Sequence, residues 1–148
     1  MSLPKISEWG PKYWKFLHGF VEKIGTRTLK KLQEDDEARY AFQILNAVVL
    51  SMPCIQCRKH YRDWLIQYPL RRFIHLRGPT LRLELRKWLW ELHSDVNKRK
   101  NVVIQPGLDD MEILYKDINL VEALKNIPIV STEMKEVRKI GLIFLSFS

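Results

Sequence analysis

Read for the spacing of its apolar residues, the chain is helical over most of its length. Trp14, Leu17, Val21 and Ile24 recur at intervals of three and four, the period that lines one face of an α-helix. Pro11 stands just ahead of them, where a missing backbone N–H costs nothing, so a first helix is predicted to open there. Polar residues from Thr26 to Asp36 read as a connection. A second helix follows, with Ala41, Leu45, Val48 and Met52 on one face and Ile44 widening it. Asp35 and Asp36 sit at its start, where negative charge suits the helix dipole. Ser51-Met52-Pro53 breaks that helix and begins a third, on which Cys54, Cys57, Tyr61 and Leu65 share a face. Pro69 and the Gly78-Pro79 pair bound a basic loop. Thr80 is the predicted N-cap of a long helix reaching about Lys100, with Leu81, Leu85, Trp88 and Leu92 as its stripe. Beyond Pro106-Gly107, Asp109 to about Lys125 reads as two short helical pieces.

Four main helices with short to moderate connections predict an all-α architecture: a four-helix bundle with a short additional fifth helix. The 148 residues make one domain, assigned to 1–126, with 127–148 as a C-terminal extension of unknown role. Within the extension, Ile140 to Phe147 is apolar but far too short to span a bilayer. Packing against the body or a neighbouring subunit is the expected role, with a partner or membrane surface as the other option. The N-terminus lacks the basic-then-apolar layout of a signal peptide, since charged and aromatic residues begin by Lys5 and Trp9.

Composition changes the picture only through charge and cysteine. With 46% apolar and 28% charged residues the chain is globular, and its net charge of +8 raises the question of nucleic acid. The cations are spread along the chain, however, and the best candidate cluster (Arg82, Arg86, Lys87) shares a helix with residues that a nucleic-acid module leaves unexplained. A solvated basic surface accounts for most of them, and a subset suits the phosphates of an anionic cofactor.

Both cysteines of the chain fall in one Cys-x-x-Cys unit, Cys54 and Cys57, which leaves none for a structural bridge. At a helix N-terminus, unpaired backbone N–H groups and the positive end of the dipole stabilise a thiolate, and Arg58 and Lys59 add positive charge. That placement predicts a redox-active disulfide. A zinc site using two of His60, His75 and His93 competes, but its spacings fit no common finger. A thioredoxin-like unit would need strands that the pattern does not supply, and an inert buried pair is the remaining alternative. Two further segments set aromatic rings beside imidazoles: Trp14 with His18, and Trp88 with His93. Each alone is ordinary packing, but with a redox pair in one small helical domain they point to a ligand site with apolar walls and a few polar groups.

These residues fall in three blocks: Gly10-Pro11-Lys12-Tyr13-Trp14-Lys15-Phe16-Leu17-His18, Pro53-Cys54-Ile55-Gln56-Cys57-Arg58-Lys59-His60, and Trp88-Leu89-Trp90-Glu91-Leu92-His93-Ser94-Asp95-Val96-Asn97. In order and spacing they resemble the Erv/ALR FAD-linked sulfhydryl oxidases. The resemblance implies FAD at the bundle mouth, with Cys57 against the flavin ring and Cys54 exchanging with substrate thiols. It further implies cofactor contacts from Trp14, His18, His60, Trp88, His93, Val96 and Asn97, with Lys12 and Arg99 or Lys100 toward the polar and phosphate parts, and no metal. The implied reaction passes electrons from protein thiols through the pair to FAD and then to O2, giving hydrogen peroxide. Ser94 stands where the family usually has asparagine and Trp90 where it usually has cysteine, so a cofactor hydrogen bond is open to loss and no second disulfide forms. This stripped pattern is most similar to the minimal oxidases of large DNA viruses. That similarity implies a host-cytoplasmic or virion setting, with the mitochondrial intermembrane space or secretory pathway as the alternative. A separate thiol relay protein and a homodimer are the partners it suggests.

Overall fold

The computed structural model describes residues 6–52, 54–102, 104–129 and 131–147. The readings attached to Lys5 and Pro53 fall outside those residues. The described residues form an all-α fold: α1 (Ile6–Lys23), α2 (Lys31–Ser51), α3 (Ile55–Gln67), α4 (Gly78–Arg99), α5 (Met111–Tyr115), α6 (Leu120–Lys125) and α7 (Thr132–Leu145), with single 3-10 turns at Leu70–Phe73 and Leu108–Asp110. The four long helices and the two short pieces after Pro106 stand as the apolar pattern predicts. Leu17 and Val21 of α1 with Ile24 just past its end, Ile44, Leu45 and Val48 of α2, and Leu81, Leu85 and Leu92 of α4 are all buried.

Three helix starts differ from expectation. α1 begins at Ile6 and carries Pro11 in its interior, because Trp9 is buried one turn ahead of Tyr13 and extends the same packed face. That burial outweighs the backbone hydrogen bond that proline removes. α2 begins at Lys31, where Gln33 Oε1 accepts the Lys30 N–H at 3.0 Å and so closes the N-terminus upstream of the acidic pair. α4 begins at Gly78, since Pro79 fits its first turn, so Thr80 lies inside the helix and is not its cap.

α1 and α4 run antiparallel, and their contacts form a ladder. Arg82 donates to the Ile24 carbonyl at 2.7 Å, Arg86 clasps Glu22 with two bonds of 2.7 and 2.8 Å, and His18 meets His93 at 3.0 Å. The end of α1 touches the start of α4 backbone to backbone. A Cβ on Gly25, which has φ +71°, would lie 2.4 Å from the Gly78 carbonyl carbon. Arg82 and Arg86, two members of the candidate basic cluster, are thereby engaged within the fold.

The extension is not a loose tail. α7 lies along α2 and buries Met134, Val137 and Phe144. Arg27 fastens it: the guanidinium donates to the carbonyls of Phe144 and Phe147 at 2.8 Å, to Glu37 at 2.9 Å, and stands over the Phe144 ring. Glu37 is buried and also accepts the Gly25 N–H at 3.0 Å, so its charge depends on Arg27 for compensation. Removing one partner of such a pair costs about 3–5 kcal/mol. Arg27→Ala is therefore expected to lower unfolding stability by about that amount in a denaturant titration. A loss within ~0.5 kcal/mol, the usual range for a surface change, would contradict the latch.

Candidate functional site

α3 is capped by sulfur. Cys54 is its N-cap, in extended backbone conformation, and its Sγ accepts the Cys57 N–H at 3.2 Å. Cys54 and Cys57 are joined as a disulfide with Cα atoms 5.2 Å apart. Neighbouring contacts hold this junction. Arg58 donates to the Met52 carbonyl, Tyr13 shares a hydrogen bond with buried Ser51, and the Tyr61 hydroxyl donates to the Leu45 carbonyl at 2.6 Å. Burial pushes the Tyr13 and Tyr61 phenols upward, so both serve as neutral struts.

The disulfide opens onto a cavity of about 290 Å³. Trp9, Tyr13, Trp14 and Leu17 of α1 form one wall, and Met52, Tyr61 and His60 flank the cysteines. Leu92 and Val96 of α4 also line it, together with Arg99 and Lys100. The surround is aromatic and aliphatic, and it includes two cations and the disulfide. The indole Nε1 of Trp9 is buried behind the wall and has no partner among the described residues. His60 bonds Asp95 at 2.6 Å and Arg99 lies 3.4 Å from the same carboxylate, which ties α3 to α4 beside the cavity.

Next to the cavity the two aromatic–histidine segments interlock. Trp14 stacks on His93 with ring centres 3.9 Å apart and planes 6° from parallel, and Tyr115 of α5 stacks on His18 at 4.8 Å. Burial holds His18 down at about 3, helped by repulsion from His93. Burial likewise holds His93 at about 4, helped by Lys100. Both rings are neutral at physiological pH, as their mutual bond requires, one nitrogen donating and the other accepting.

The sequence of residues 11–110 matches the family model described as Erv1 / Alr, about two-thirds of the chain. The chain belongs to the Erv1/Alr family. Among curated relatives it is 29% identical over 127 residues to an FAD-linked sulfhydryl oxidase of African swine fever virus, covering 84% of this chain and 91% of the relative. A second isolate's protein is 30% identical over 95 residues, covering 63% and 68%. The mitochondrial FAD-linked sulfhydryl oxidase erv1 of Schizosaccharomyces pombe is 26% identical over 101 residues, covering 66% of this chain and 48% of that protein. No solved structure matches significantly.

Of the residues that the Erv/ALR resemblance singles out, Cys54, Cys57, Trp14, His60, Val96, Arg99 and Lys100 come together on one cavity. His18 is buried behind Trp14, on which it stacks, and it bonds His93 without lining the cavity itself. Trp88 is core: its indole donates to the Tyr68 carbonyl at 2.9 Å and its ring lies edge-on to Tyr61. Lys12 is exposed on α1, away from the cavity wall. Asn97 and His93 border a separate recess of about 30 Å³, where Asn97 donates to Gln105 Oε1 at 2.9 Å and Gln105 donates to Ser94 Oγ at 2.6 Å. Gln105 sits in a loop, where no periodicity marks it. Trp9 and Tyr13 could have been found, because they continue Leu17 along one helical edge.

The histidine pair carries a pH signature. In the unfolded chain each titrates near 6.5, and in the fold near 3 and 4, so the stability it contributes is whole above about pH 6.5 and lost as pH falls toward 4. NMR titration of the ring protons is expected to show His18 and His93 neutral down to about pH 5. A His18 midpoint near 6.5 would show that the pair is not buried as described.

Proposed function

We propose that this chain is an FAD-dependent sulfhydryl oxidase that forms disulfides in protein substrates. The observation that carries the reading is a helix-capping disulfide opening onto an aromatic-walled cavity whose lining includes Arg99 and Lys100. The fit to FAD is chemical. Trp9, Tyr13, Trp14 and Leu17 offer apolar and aromatic surface to a flat heteroaromatic ring, and Arg99 and Lys100 offer charge to a diphosphate. The volume lies near the lower limit for ligand pockets, which suits the ring system with the remainder of the molecule outside the enclosed part. The printed names of the viral and yeast relatives support the same cofactor and reaction.

The chain's own residues divide the work. A substrate thiolate attacks Cys54 Sγ, the Cys54–Cys57 bond breaks, and Cys57 leaves as a thiolate in the first turn of α3, where the helix N-terminus stabilises negative charge. The second substrate thiol attacks the mixed disulfide, releasing oxidised substrate and leaving both cysteines reduced. Cys57 shares a helical face with buried Tyr61 and Trp64, which favours it as the sulfur turned toward the cofactor. Cys54 precedes exposed Ile55 and Gln56, which favours it as the sulfur that substrate meets. Bound FAD supplies the two-electron acceptor that restores the disulfide and delivers the electrons to O2 as hydrogen peroxide. His18 and His93, neutral and mutually bonded, hold Trp14 in place at the cavity wall.

The catalytic region is read as residues 1–126, with α7 of the 127–148 extension bracing it along α2. Among the described residues no helix is long and apolar enough to cross a membrane. A host-cytoplasmic or virion setting is inferred from the viral relatives, and a separate relay protein and self-association are open to the same enzyme.

Purified protein is expected to be yellow and to consume one O2 for each dithiol it oxidises. Cys57→Ser should lower oxygen uptake by at least ~10³-fold, the scale of losing a catalytic group, while flavin absorbance is retained. A colourless protein that fails to take up added FAD would overturn the reading.

A further inference from the structure

The face of α3 turned away from the core begins between the two cysteines. Ile55, Lys59, Arg62 and Ile66 follow one another at intervals of four, three and four, which places them within about 60° around the helix. All four are exposed, Ile55 by 84% and Ile66 by 74%, although the opposite face of the same helix buries Tyr61 and Trp64. Two large apolar side chains in water at the ends of a basic stripe have no role in holding this helix down. Neither cation belongs to the cavity wall. Lys59 lies 3.6 Å from Asp63 in a hydrated pair of little energetic weight, and Arg62 pairs with no carboxylate among the described residues.

The stripe lies where a substrate must come. The chain has no third cysteine to relay electrons, so a protein thiol bonded to Cys54 presses its own flanking residues against the head of α3. A surface basic in the middle and apolar at both ends attracts the complementary pattern and repels a basic one. We propose that the Ile55–Lys59–Arg62–Ile66 stripe is the docking surface for the thiol substrate, selecting proteins whose reactive cysteines are flanked by acidic and apolar residues. The proposal rests on the oxidase reading and adds the chemistry of the partner. The exchange at Cys54 is unchanged by it.

The test uses the holoprotein and three thiols: dithiothreitol, a Cys-x-x-Cys peptide flanked by Asp, Glu and Leu, and the same peptide with Lys replacing the acids. The acidic peptide is expected to exceed the basic one in kcat/KM by ~10-fold at low ionic strength, the lower end of electrostatic steering. The gap should close as salt rises to about 0.5 M. Arg62→Glu should shrink the gap several-fold while leaving dithiothreitol oxidation and the flavin spectrum unchanged. Equal oxidation of both peptides, or an Arg62→Glu protein with the gap intact, would overturn the docking stripe alone. Failure to oxidise dithiothreitol would overturn the oxidase reading and this proposal with it.

Discussion

The helix that carries the redox pair takes its N-terminal hydrogen bond from one of the reactive sulfurs. A helix start leaves backbone N–H groups without acceptors, and a serine, threonine or aspartate oxygen usually meets one of them. Here Cys54 Sγ does so, through the N–H of the very residue to which it is bonded. The position of the disulfide and the position of the helix start are therefore one constraint. The surrounding polar bonds keep it in place: Arg58 on Met52, Ser51 on Tyr13, and Tyr61 on α2. Reactivity follows from that location, because the positive end of α3 stabilises whichever thiolate is released when the bond opens.

A disulfide so placed needs a wall opposite it, and the antiparallel α1–α4 pair provides one. Backbone contact at Gly25 and Gly78 sets the axial offset at one end. The Glu22–Arg86 clasp holds the middle, and the His18–His93 bond holds the far end, near Trp14, Leu92 and Val96 of the cavity lining. These buried polar contacts require definite partners, so they fix how far one helix slides along the other in a way that apolar packing alone does not. α7 acts at a distance from this geometry. Latched by Arg27, it covers the side of α2 that would otherwise expose apolar surface.

Much of this was legible in the sequence, and the reasons differ by residue. Helical period exposed α2, α3 and α4 because apolar residues recur along their buried faces at intervals of three and four. The cysteine spacing beside a helix start exposed the reactive centre, and the block pattern brought Trp14, His60 and Val96 to it. Three kinds of information were hidden. Pro11 signals a helix start, yet Trp9 and Tyr13 pack as one face across it, a tertiary effect that local signals do not contain. Trp88 carries a family motif but spends its ring and N–H on Tyr61 and Tyr68, contacts that depend on how α3 turns into the following loop. Gln105 and Asn97 meet across a loop, and Arg27 and Glu37 meet at the foot of α7; charge pairs of this kind have no period to read.

The division of labour between two adjacent sulfurs is the claim on which the functional account turns. It is tested most directly by reducing the protein, pulsing it with a small alkylating reagent, and locating the label by tandem mass spectrometry of the peptide containing both cysteines. The account predicts that Cys54 is labelled first and Cys57 later, because Cys57 shares the face of α3 that buries Tyr61 and Trp64. Label appearing first on Cys57, or on both at one rate, would contradict it.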